Sequence, residues 1–334
     1  MDTSTPPQGR RWRRKAIVIP ALHGQRRPAI TLSALAFITF VLTVIAGCQA
    51  SQRSAPTSTP TPPPSSPSSA PPPVELPITG LIHPSGVAVD TAGSVYVIED
   101  YDTRVLKLAA GSSAPVALPF TGLQWSEGVA VDTAGNVYVA DTNNRRVLKL
   151  PAGSNTPVEL PFTGLYSPQG VAVDSAGNVF VTNLHIPPDS SSRVLKLPAG
   201  SNTQVELPFT GLVGPDAVAV DTAGNVYITD GSLRQVLKLP AGSNTQVELP
   251  FTGLNTVAGV AVDTAGNVYI TDSVNRDRDG RVLKLPAGSN TQVVLPFTDL
   301  HDADGVAVDT AGNVYITDVS PGGKHSRVLK LPAG

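Results

Sequence analysis

Four short apolar runs recur in fixed order along most of the chain. The first, Gly-Val-Ala-Val-Asp, is apolar without interruption, as a strand covered on both faces would be. The second, Asn-Val-Tyr-Ile-Thr-Asp, alternates as a strand does. Arg-Val-Leu-Lys-Leu follows after a loop of variable length, and Val-Glu-Leu-Pro-Phe comes last. The phrase Val-Ala-Val-Asp ends at Asp90, Asp132, Asp174, Asp221, Asp263 and Asp309, giving spacings of 42, 42, 47, 42 and 46 residues. Four strands per period of this length predict a β-propeller blade, a unit that buries its faces only against its neighbours. The expected fold class is therefore all-β, a six-bladed β-propeller over residues 74–334.

The turns support this order. Asp-Thr-Ala-Gly-Asn places an aspartate to cap the turn and a glycine to take positive φ. The proline of the last run (Pro119, Pro161, Pro208, Pro250, Pro296) is tolerable only at a sheet edge, which makes that run the outermost strand and blunts it against foreign pairing. The chain ends complete the register. Val74 to Ile78 is an outermost strand with no blade before it, whereas the sixth unit stops at Arg327–Leu331 without one. Pairing the two closes the ring, and the expected state is a monomer.

Asp132-Thr-Ala-Gly-Asn-Val-Tyr-Val-Ala-Asp141, followed by Asn144-Arg145-Arg146-Val147, resembles the NHL repeat. The longer phrase from Leu-Pro-Phe-Thr-Gly-Leu to Asp-Thr-Ala-Gly-Asn-Val-Tyr is similar to the extracellular sensor propeller of a mycobacterial transmembrane serine/threonine kinase. The resemblance covers all six units and implies a rigid propeller that presents loops to a ligand. It implies no kinase activity, because Asp-Phe-Gly, His-Arg-Asp and a glycine-rich phosphate loop are all missing.

Upstream of the repeats the composition changes twice. Residues 1–28 hold seven of the 24 Lys and Arg but one acid, Asp2, and an uncharged apolar run extends from Ala29 to Ala46 before Gly47-Cys48. This order predicts an export signal over 1–47. It resembles the lipobox of bacterial lipoproteins, in which Cys48, the chain's single cysteine, would be acylated and become the new N-terminus. A retained membrane helix is the alternative, since 18 apolar residues nearly span a bilayer. Residues 48–73 are dominated by Pro, Ser, Thr and Ala and read as an extended linker. The expected location is outside the cell, held to the outer face of the membrane by lipid alone. Past residue 28 the chain carries 17 basic and 25 acidic side chains, a net charge of -8 that argues against nucleic-acid binding.

A meander sends alternate loops to opposite faces. The Asp-Thr-Ala-Gly-Asn and Pro-Ala-Gly-Ser-Asn-Thr turns share a face and barely vary. The blade-to-blade connections and the second-to-third-strand loops share the other face and are individual, the longest being 184–192, 273–280 and 319–326. Ligand recognition is expected on the variable face. Its candidates are Trp125 and Tyr166 as aromatic contacts, with His83 and His301 on blades that adjoin after closure. The residues just before each innermost strand (Ser85, Glu127, Gln169, Asp216, Ala258, Asp304) should rim the central channel. Glu127, Asp216 and Asp304 then form a threefold acidic set that could hold Ca²⁺ with waters, or be merely solvated. A zinc site from the histidines with Asp302 or Asp304 matches no ligand motif. Asp141 with Arg146 and Asp272 with Arg281 read as cross-hairpin ion pairs. No Ser-His-Asp arrangement and no nucleophile elbow is visible. A non-enzymatic binding module for a protein or glycan, with no required cofactor, is the expectation. A metal-dependent lyase or lactonase with its site at the channel mouth is the rival.

Overall fold

The computed structural model describes residues 71–101, 103–185, 192–275 and 278–334. Cys48, the apolar run before it and most of the linker lie outside these residues. Among the described residues no helix is long and apolar enough to cross a membrane. A 3-10 turn at Pro321–Gly323 is the only helical element found there.

Six four-stranded antiparallel sheets form the blades. In blade two the strands are Ser126–Val131, Val137–Asp141, Arg146–Leu150 and Val158–Glu159, from axis to rim. Blade six contains Asp302–Val308, Val314–Val319 and Arg327–Leu331 and takes its outermost strand, Val74–Glu75, from the other end of the described chain. Val74 pairs with Lys330 and Glu75 with Leu329, as the register of the repeats demands. Each interface between blades is a separate apolar core. Between blades six and one, Ile78, Leu81, Val87, Val97 and Leu106 pack with Tyr315 and Val328.

Two details depart from the sequence expectation. The outermost strands are only two residues long, and the prolines stand beyond them rather than within. Phe120 N donates to Leu118 O at 2.8 Å, and the same i to i+2 bond recurs at Phe162, Phe209, Phe251, Phe297 and Ile78. Proline's fixed φ suits the centre of such a γ-turn, so it ends the strand and folds the following aromatic or isoleucine side chain inward. The second departure is at the axis. Ser85, Glu127, Gln169, Asp216, Ala258 and Asp304 lie inside the innermost strands, not before them. Each begins a β-bulge, where two residues oppose one on the second strand. The next residue is Gly in five blades because the neighbouring blade's backbone is too close for a side chain. A Cβ at Gly259 would stand 2.6 Å from Asp304 O. Blade four carries Ala217 there instead.

The bulges are tied together by threonines. In blades three to six, Thr182, Thr229, Thr271 and Thr317 are fully buried. Each hydroxyl accepts from the bulge N–H of its own blade: Gly170, Ala217, Gly259 or Gly305. Each donates to a carbonyl of the next blade: Asp216, Ala258, Asp304 or, across the closing junction, Ser85. Ile98 and Ala140 occupy this position in blades one and two, so the junctions from one to two and from two to three lack the clamp. There Ser85 Oγ reaches Ser126 O at 3.3 Å and Thr142 Oγ1 reaches Pro168 O at 2.7 Å. At the rim, the side-chain amides of Gln204, Gln246 and Gln292 bond both backbone groups of Thr163, Thr210 and Thr252 in the preceding blade. Pro115 and Pro157 replace that glutamine in blades one and two.

Candidate functional site

The face with repeated turns is occupied by its own structure. Asp132 Oδ1 caps its turn by accepting from Ala134 N and Asn136 N, while Oδ2 accepts from Asn136 Nδ2 and the Tyr138 hydroxyl at 2.9 Å. Lys149 stands 5.4 Å from the centre of the Tyr138 ring. Burial alone would raise the Asp132 carboxyl, but these hydrogen bonds outweigh it and hold the group below the ordinary carboxylate range. Asp90, Asp221, Asp263 and Asp309 behave alike. Their tyrosine partners are pushed upward, first by burial and then by the carboxylate.

On the variable face one fully buried acceptor per blade fixes the incoming connection: Glu99, Asp141, Asn183, Asp230, Asp272 and Asp318. Each takes the N–H of the residue at Ile82, Gln124, Tyr166, Val213, Asn255 or His301 at 2.7–2.9 Å. Arg146, Arg281 and Arg327 pair with the acid of their own blade. Those ion pairs match expectation, yet the acceptor matters more than the pair. Asp230 faces Gln235 and keeps its backbone donors, and Asn183 replaces the acid while still accepting. The expected loop at 273–280 is also largely strand, with Asn275 paired to Arg278.

The channel-rim residues do meet. Ser85, Glu127, Gln169, Asp216, Ala258 and Asp304 line one cavity of about 120 Å³ at the variable-face end of the axis. Gln169, oriented to satisfy both neighbours, accepts from Ser167 Oγ and donates to the Glu127 carboxylate. Among the described residues no three His, Cys, Asp or Glu side chains converge for direct metal coordination. The histidines are likewise separated by their partners. His83 Nδ1 lies 3.1 Å from Asp100 Oδ2, and His301 Nδ1 lies 3.9 Å from Asp318 Oδ2. The bond to Asp100 raises His83 to about 9 against the opposing effect of burial, and Asp304 and Asp302 of blade six add to it. The Asp100 carboxylate thus favours the protonated form of His83 and occupies the side of its ring that carries Nδ1.

The two aromatic candidates part company. Tyr166 is half-buried, with Arg145 of blade two 4.8 Å from its ring centre and the His185 ring at 4.6 Å. Trp125 is 51% exposed, and its backbone is left-handed at φ 51. Most other positive-φ residues other than glycine have plain causes. Thr103, Arg145 and Arg234 close short hairpins at equivalent positions, and Asp299 stands where other blades place glycine. Trp125 has no counterpart. In blades one, four and five the carbonyl at its position accepts an N–H from the hairpin: Asp100 to His83, Gly231 to Gly214 and Ser273 to Thr256. Blade two instead bonds Asn143 N to Gln124 O at 3.0 Å. The sequence reading also passed over Tyr101, 71% exposed in the blade-one hairpin, and the apolar pair Val213 and Leu233 on blade four.

A sequence profile of the NHL repeat matches residues 125–150, which contain Trp125 and the first three strands of blade two. No curated protein sequence matches the chain. Among solved structures, a gluconolactonase from Xanthomonas campestris is similar with a TM-score of 0.61 at 16% identity, covering 77% of this chain and 88% of the other. A streptogramin B lyase aligns over 78% and 97% of the two chains, with a TM-score of 0.56 at 13% identity. A chain of a nidogen–laminin complex aligns over 65% and 82%, at 0.55 and 20%. At these identities the shared property is shape, and what the comparisons establish is a six-bladed β-propeller that carries an NHL repeat.

Proposed function

We propose that the chain is an exported binding module that engages a protein or glycan ligand through its variable face, held to the membrane by lipid on Cys48. The observation that carries this reading is the contrast between the faces. The repeated turns use their polar groups on one another, whereas the variable face keeps Tyr101, Trp125, Val213 and Leu233 exposed on a frame fixed by buried acceptors. Exposed aromatics on rigid supports are the residue type that dominates binding interfaces. The resemblance to a kinase sensor propeller and the likeness to a chain from a nidogen–laminin complex support the same reading.

The test is retention of the full-length protein on isolated cell-envelope material. At least one of Tyr101→Lys, Trp125→Ala and Val213→Lys should reduce binding tenfold or more, and Thr222→Lys and Ser243→Lys on the repeated face should not. The opposite pattern would reject the assignment of faces. Anchoring is tested separately, since Cys48→Ser should abolish fatty-acid labelling and leave an uncleaved precursor.

A second reading, a metal-dependent lyase or lactonase, draws on Glu127, Asp216 and Asp304 lining one cavity and on the fold shared with enzymes of those kinds. The carboxylates do not converge, so Ca²⁺ would have to be held through waters. Stoichiometric calcium in the purified protein, lost in Asp216→Ala with Asp304→Ala, would favour this reading.

A further inference from the structure

Trp125 raises a question that the fold alone does not answer. A bulky residue held in the left-handed region is strained, and strained residues of this kind cluster at functional sites. Half of the residue remains in solvent, so it is not a core packing element. The same backbone rearrangement moves the hairpin bond from the Trp125 carbonyl position to Gln124 O. As a result Gln124, next to Trp125 in the chain, is joined by its backbone to Asn143, and both residues are exposed. Blade-two and blade-four hairpins lie against the next blade's connection, as the bond from Thr142 to Pro168 and the close approach of Gly231 to Val257 show. By the same nesting, the blade-one hairpin that carries exposed Tyr101 belongs to this junction.

We propose that Trp125, flanked by Gln124 and Asn143 and extended by Tyr101, is a saccharide subsite. The proposal rests on the variable-face reading and narrows its ligand class to a glycan. An exposed indole offers a flat apolar surface matched to the C–H face of a pyranose ring. A carboxamide carries both donors and an acceptor, the combination that vicinal hydroxyl groups require. An open surface with no deep pocket suits an internal unit of a long chain.

Trp12 and Trp125 are the only tryptophans, so full-length protein with Trp12→Phe reports on Trp125 alone. Soluble oligosaccharides of N-acetylglucosamine, glucose, mannose, arabinose and uronic acids would be titrated while its emission is followed. At least one should give a saturable blue shift, with affinity falling tenfold or more in Gln124→Ala and Asn143→Ala. For replacements of Trp125 itself the titration is read by calorimetry, and Trp125→Tyr should keep the affinity within threefold. Trp125→Gly should abolish binding without lowering the melting temperature, since glycine takes positive φ freely. A marked loss of stability in Trp125→Gly would make the indole a packing element and overturn the proposal. So would envelope binding that depends on Trp125 but is destroyed by protease and matched by no saccharide, although the variable-face reading would then stand. Loss of the face dependence itself would remove both.

Discussion

Blades three to six and blades one and two solve the same packing problem by different means. In the larger group a buried threonine joins each bulge to the next blade. In the smaller group Ile98 and Ala140 stand in its place, whereas at the rim only blades three to five have the Gln-to-backbone pair, proline taking that position in blades one, two and six. The junction from one to two is thus held by apolar contact and a single hydroxyl bond, and that from two to three by apolar contact, the Thr142 bond and the Gln204 pair to Thr163. These junctions also carry Tyr101, Trp125, Arg145 and Tyr166. The threonine clamp is thus absent at the two junctions where the variable face carries its individual aromatic and cationic side chains.

Removing residues 74–79 should have the largest effect. It strips blade six of its outermost strand and takes Ile78 from the core shared with blade one, so a loss of more than about 4 kcal/mol is expected in chemical denaturation. A deletion of equal length within 56–66 should change nothing, and equal losses would mean that the ends do not close the ring. Next, Thr271→Val leaves the Gly259 N–H and the Asp304 carbonyl without their partner, at a cost of about 1–3 kcal/mol. The converse change, Ala140→Thr, should place a clamp between blades two and three and add about 1 kcal/mol. If neither variant shifts the denaturation midpoint, the contrast between the two groups of blades has no energetic content. A smaller effect is expected from Gln246→Ala, whose paired bonds to Thr210 are exposed, at about 0.5–1 kcal/mol.

The smallest effect per site belongs to pH. Asp90, Asp132, Asp221, Asp263 and Asp309 are lowered in the fold, so their stabilisation is present above the ordinary carboxylate value of 3.8 and is lost as pH falls through the lowered values. These groups are partly exposed and solvent screens them, so each contributes little. A melting temperature that declines below pH 4, less steeply in Asp132→Asn, would show it. His83 has the opposite sign. Its contribution is full below 6.5 and is lost as pH rises through about 9, which proton resonances of the imidazole would follow.

Much of the fold was legible because each copy of the repeat corrects the reading of the others. Six instances of Val-Ala-Val-Asp fix the blade number, and the unmatched runs at Val74 and Leu331 fix the closure. What escaped depends on contacts between copies. Thr271 looks like an ordinary alternating strand residue until the bulge brings Gly259 N and Asp304 O to it. The rim residues were right in identity but one structural step off, because a bulge adds a residue without changing the apolar pattern. Tyr166 and Trp125 look equivalent in sequence. A cation from another blade covers one, and a backbone turn unique in the ring exposes the other.

The composite sixth blade has a consequence for how the chain could be rewired. Pro332, Ala333 and Gly334 already begin the turn that the other blades make between third and fourth strands, with Ala333 N bonded to Asn313 Oδ1 as Ala152 N is to Asn136 Oδ1. Gly334 and Val74 are therefore the two banks of one missing Ser-Asn-Thr-Gln turn. Joining them through those four residues and opening the chain at Ser154–Asn155 would yield a circular permutant with the same six sheets. The starting point of the polypeptide is then a matter of gene order, and five other turns are equivalent places from which the same ring could be read.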